Sequence, residues 1–196
     1  MNYNREQILK DHFNNFLREK IFLPERDYFS KLSLEDFLEL KSVLKEINDI
    51  ITLKLTLKFV NWLKNYFTID EQTYQEIFNK IKSIKPNSNG FDVQIDDVPK
   101  LIAEVKCNIP ITKGETYGSA QRDGIIADLK SLINGKKKSK INVKDYYKFM
   151  VLYDNEKVRI ATENLVKLLA SELKNNIQYF SEKRISKEKV NIIYLK

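Results

Sequence analysis

Two carboxylates and a lysine are placed so that one sheet face can present them together: Asp92, then Glu104 and Lys106, in the run from Gly90 to Asn108. Strand side chains alternate between faces, so Phe91, Val93 and Ile95 are expected on one side and Asp92, Gln94 and Asp96 on the other. On the next strand Leu101, Ala103, Val105 and Cys107 take the apolar side, which leaves Glu104 and Lys106 together on the opposite one. A turn centred near Val98 pairs residues of equal parity across an antiparallel ladder and sets Asp92 opposite Glu104. Hard divalent ions such as Mg2+ are held by one or two carboxylates that leave coordination positions for water and phosphate. Asp92 and Glu104 supply such a pair, and the carbonyl of Val105, between the two functional side chains of its strand, is a further oxygen. Lys106 can hold or polarise an attacking water, and its charge lowers the cost of bringing the two acids together. This is the minimum equipment for metal-assisted phosphodiester cleavage, which needs a nucleophilic water, neutralisation of charge on phosphoryl oxygens and help for the departing oxygen.

The elements that must position these residues follow from periodicity. Residues 1 to about 85 hold few turn formers and show mostly helical spacing. Ile8, Phe13, Phe16 and Leu17 outline a first helix, and Ser33 with Asp36 forms a capping pattern before Phe37, Leu38, Leu40, Val43, Leu44 and Ile47. The segment Ile51 to Phe59 alternates apolar and polar residues as a strand does, while Ile51, Leu55, Phe59, Trp62 and Tyr66 also form a helical stripe; its helical neighbours favour helix. Thr68 to Glu71 reads as a capping box for a helix that buries Tyr74, Ile77, Phe78, Ile81 and Ile84. Pro86 to Gly90 breaks it.

Beyond this break, strands and helices alternate. The hairpin of residues 91–108 leads to a helix over 119–133 with Ile125, Ile126, Leu129, Leu132 and Ile133 as its apolar face, closed by Gly135. The nearly all-apolar run Tyr146 to Tyr153 has the composition of a central strand. Asp154 can cap a helix carrying Ala161, Leu165, Leu168, Leu169 and Leu173, and Val190 to Leu195 reads as a last strand, parallel to the previous one through a right-handed crossover. The fold class expected is α/β, a mixed central sheet of about four or five strands flanked by helices. An N-terminal helical region, 1–67, precedes the core, 68–196.

Hydrophobic residues at 42% and charged residues at 31% are ordinary for a globular chain, and a net charge of +7 favours an acidic partner such as DNA. One cysteine excludes an internal disulfide and suits a reducing cytoplasm; Cys107 has the inward parity of a core residue. The most hydrophobic segment, Ile50 to Phe67, is interrupted by Lys54, Lys58 and Lys64, so no membrane span is expected. A single histidine, His12, argues against histidine-centred nucleases, serine–histidine hydrolases and zinc fingers, and Gly114 and Gly118 lack the neighbours of a phosphate-binding loop.

Asp92 followed by Glu104-Val105-Lys106, in the order helix, hairpin, helix, strand, resembles the PD-(D/E)XK nuclease superfamily, to which most type II restriction endonucleases belong. The resemblance covers less than half of the chain. It implies Mg2+-dependent hydrolysis of DNA leaving 5'-phosphate ends, with Asp92 and Glu104 as metal ligands and Lys106 as the third catalytic residue. It further suggests Glu76, on the first core helix, near the metal, and Gln121, early in the helix after the signature strand, in the catalytic group. The chain departs from the family in having Phe91 where many members have proline, in Ile125 where relatives with this glutamine carry tyrosine, and in lacking an evident first core strand.

Lys136, Lys137, Lys138 and Lys140 form either a phosphate-gripping loop or a solvated connection, and Arg122 either touches DNA or makes a surface ion pair. Asp96 and Asp97 fit a solvated turn. The activity expected is that of a small DNA endonuclease of the type II restriction class, paired as a homodimer to match a symmetric site. A repair or junction-resolving nuclease, a non-catalytic nucleic-acid-binding module and a helical interaction protein with a chance motif are the alternatives.

Overall fold

The computed structural model describes residues 4–83, 90–110, 115–136, 141–181 and 185–196. The chain divides into two compact units, Met1–Ile47 and Asn48–Lys196. In the first, α1 (Arg5–Lys20) is capped by the Asn4 side chain, and α2 (Leu34–Lys45) begins with the expected reciprocal capping box between Ser33 and Asp36. Between them Asn14 gathers the loop, accepting from the backbone N–H groups of Tyr28 and Phe29 at 3.0 and 3.1 Å and donating to Asp27. Phe37 packs against Phe13 and Phe29.

The second unit is three layers. Its sheet runs β1-β2-β3-β5-β4, with β1 (Val93–Ile95) antiparallel to β2 (Leu101–Lys106). The strands β2, β3 (Tyr147–Tyr153), β5 (Val190–Leu195) and the edge strand β4 (Ile177–Tyr179) are mutually parallel. One face is covered by α3 (Ile47–Phe67) and α4 (Glu71–Ser83), the other by α5 (Ser119–Asn134) and α6 (Glu156–Leu168); a short helix, α7 (Ser171–Asn175), precedes β4. The near-continuous apolar character of β3 follows: Phe149 and Val151 point to α3, Met150 and Leu152 to α5 and α6, and all four are buried.

The ambiguous segment 51–59 is helical, because α3 buries Leu55, Phe59, Val60 and Leu63 in one stripe against the sheet, which alternation into a strand would have split. Since this helix packs on the sheet, the compact unit begins at Asn48, whereas the sequence reading divides the chain after residue 67. Local corrections have local causes. Asp70, not Thr68, accepts the N–H of Thr73 at the start of α4. Asn155, not Asp154, caps α6, and Asp154 pairs with Arg159 at 2.6 Å. The expected single helix through Leu173 ends at Leu168, and β4, only three residues long, is too short to leave a periodic signal.

Candidate active site

The hairpin register is Val93 opposite Ala103, Gln94 opposite Ile102 and Ile95 opposite Leu101, so the same count places Asp92 opposite Glu104. Asp92 lies one residue before β1, where the chain leaves the strand conformation. This overturns one expectation of parity: Phe91 packs with Ile102 on the α5 side, not with Val93 and Ile95 on the α3 side. The Asp92 carboxylate replaces the next rung of the ladder by accepting the N–H of Val105 at 2.7 Å. The N–H and C=O of one residue leave a strand on the same side, so the carbonyl of Val105 faces the Asp92 edge as well.

Glu104 shares its sheet face with Ile102 and is almost wholly buried, only 3% exposed, because α5 covers this face. Burial first, then the neighbouring Asp92, pushes its carboxyl up to about 8, against the pull of Lys136. Lys136 Nζ stands 2.6 Å from Glu104 Oε1, the closest charged partner of this buried carboxyl among the described residues. Lys106 Nζ lies 2.6 Å from Asp128 Oδ2 on α5. Burial lowers the Lys106 pKa, but Asp128, Asp92 and Glu104 together outweigh it and hold the ammonium above its ordinary value.

Asp92, Glu104, Val105 and Lys106 line a cleft of about 520 Å³ together with Gln121, with Asn48 and Thr52 of α3 at its wall. Gln121 fixes the first turn of α5, its Oε1 accepting the Gly118 N–H and its Nε2 donating to the Ile109 carbonyl, both at 3.3 Å. Cys107 also lines the cleft; burial pushes its thiol up, in keeping with packing rather than reactivity. Asp96 accepts hydrogen bonds from Gln94 and Tyr146, and Asp97 is exposed at the turn.

Several expected positions lie elsewhere. Glu76 is exposed, hydrogen-bonded to Gln72, and lines a separate cleft bounded by α4 and β1. Its helix covers the α3 side of the sheet, while Glu104 faces the other. Arg122 is exposed and paired with its neighbour Asp123. Lys137, Lys138 and Lys140 lie outside the described residues. Two site residues escaped the sequence reading: Asp128, and Lys136 as a partner of Glu104. A signal for Asp128 existed, since it follows Gln121 by seven positions, two helical turns along one stripe beside the buried Ile125 and Leu129.

The donor set fits a hard cation. Two neighbouring carboxylates, one of them buried, carry an electrostatic cost that a divalent ion relieves, and carboxylate and carbonyl oxygens are the ligands Mg2+ prefers. Among the described residues no group of three or more His, Cys, Asp or Glu side chains is arranged around a common point. An ion here would rest on Asp92, Glu104 and the Val105 carbonyl, with water completing the shell, as is usual for Mg2+. Compared with protein-family models, with characterised proteins and with solved structures, the chain matches none.

Proposed function

We propose that this protein is a Mg2+-dependent DNA endonuclease that hydrolyses phosphodiester bonds to leave 5'-phosphate ends, of the type II restriction class. The observation that carries the reading is the meeting of Asp92 and Glu104 across the hairpin, with Lys106 one pleat further along the same strand, at one cleft. Asp92 and Glu104 would hold the ion, joined by the Val105 carbonyl. Bound Mg2+ supplies Lewis-acid polarisation of the phosphoryl oxygens and a more acidic water. Lys106, oriented by Asp128, holds the attacking water and neutralises charge beside it. Gln121 also lines the cleft that the scissile phosphate would enter.

The net charge of +7 supports a polyanionic substrate. Cutting both strands of a symmetric site calls for a homodimer, because two-fold DNA symmetry is met by two-fold protein symmetry. The test is digestion of plasmid, branched and single-stranded DNA with Mg2+, with Asp92→Ala and Lys106→Ala as controls. Discrete plasmid fragments that vanish in both variants support the proposal. Preferential cutting of junctions would reassign it to a resolving nuclease, and binding without cutting to a nucleic-acid-binding module.

A further inference from the structure

Lys136 is the residue whose placement the proposed chemistry does not explain. Gly135 ends α5 with φ 85°, a left-handed conformation that glycine adopts without strain, and the turn sends the next side chain back toward the start of β1. There the Lys136 ammonium meets three partners at once. It stands 2.6 Å from Glu104 Oε1, donates to the Gly90 carbonyl, and lies 5.0 Å from the centre of the Phe91 ring. Its side chain is only 23% exposed. The contact with Glu104 is therefore a close, charge-assisted pairing of a largely buried ammonium with a buried carboxyl group.

Resting on the metal-site reading above, we infer that Lys136 is a tethered counter-ion: its ammonium pairs with Glu104 Oε1 whenever the carboxylate is ionised without a divalent ion bound, and gives up that contact when an ion enters. An ionised buried carboxylate is stabilised by a positive neighbour, and a divalent ion brought to the same carboxylate repels an ammonium already at contact distance, so the two compete. Lys136 is therefore a positioning residue that competes with the metal through Glu104. Once displaced, its ammonium remains tethered beside Gly90 and Phe91 at the start of the hairpin, where a DNA phosphate is an anion that could take it. Binding of the ion and release of the lysine are linked, so removing the lysine's charge tightens the metal site by the strength of that competition.

The test uses the full chain without DNA, titrated with Ca2+ and with Mg2+ by calorimetry. Lys136→Met is expected to bind either ion about tenfold more tightly than wild type. Lys136→Gln provides a second variant should the first fold poorly, and circular dichroism verifies both. A further measurement needs no variant: acetylation of Lys136 by a water-soluble acylating reagent, followed by peptide mass spectrometry, should rise when Ca2+ is added while that of the exposed Lys167, which lines a different cleft, stays constant. Unchanged or weaker affinity in folded variants, with Lys136 labelling indifferent to Ca2+, overturns the inference but leaves the metal site standing if Asp92→Ala still abolishes binding. No binding by wild type or by either variant overturns both.

Discussion

Asp92 has two duties, and they are separable by substitution. Its carboxylate accepts the Val105 N–H at 2.7 Å and also completes the proposed ion site. Asp92→Ala leaves that N–H without its partner and is expected to cost about 1–2 kcal/mol in urea denaturation. Asp92→Asn keeps an acceptor oxygen, so stability should hold within about 0.5 kcal/mol while calorimetric Mg2+ binding is lost. Asp128 orients Lys106 and touches no reacting atom. Asp128→Asn is expected to slow single-turnover cleavage by about 10–100-fold, as loss of such supporting contacts does, with DNA affinity little changed. Asp92, Glu104 and Lys106 were legible in the sequence because strand parity and a hairpin centre decide their faces. Asp128 was not singled out: its spacing from Gln121 puts both on one stripe of α5, but that spacing does not say which strand the stripe will cover.

At the scale of elements, the site depends on how firmly the sheet is clamped. Phe149 is fully buried at the centre of β3, its ring against Phe59 at 5.3 Å and Trp62 at 5.7 Å, and these contacts fasten α3 to the strand beside β2. Phe149→Ala is expected to cost about 3–5 kcal/mol by urea denaturation. In the N-terminal unit Asp27 ties Lys10, Asn14 and the Ser30 N–H together, and those bonds hold its carboxyl well below the usual carboxylate range. The sign follows: with a folded pKa beneath the unfolded value of 3.8, the stabilisation is complete above that value and is lost as pH falls through the folded one. Far-UV circular dichroism of residues 1–47 as a separate peptide is expected to report helix loss on acidification below about pH 4, which Asp27→Asn would reproduce at neutral pH. The helices were readable from the 3.6-residue period, even over residues 51–59 where alternation competed. The edge strand β4 was not, because three residues on a sheet margin have neither period nor length to announce themselves.

For the whole molecule, charge and layering matter most. No helix among the described residues is long and apolar enough to cross a membrane. If DNA is the partner of a chain with net charge +7, counterion release makes affinity salt-dependent. Fluorescence anisotropy with Asp92→Ala and a labelled duplex is expected to show at least a roughly hundredfold loss between 50 and 200 mM salt. A flat response would remove phosphate contact as the basis of binding.

The sequence by itself determined the α/β class, the hairpin register and the opposition of Asp92 and Glu104, because each rests on short-range regularities: side-chain parity, helical period and the centre of one turn. Only the tertiary structure decided that Glu104 is buried, since a sheet covered on both faces hides residues that alternation alone assigns to water. It likewise decided that Lys136 returns to a carbonyl 46 positions earlier and that Asp128 meets Lys106. Such pairs are brought together by packing of one layer on another, and no local pattern in the chain encodes which faces will meet.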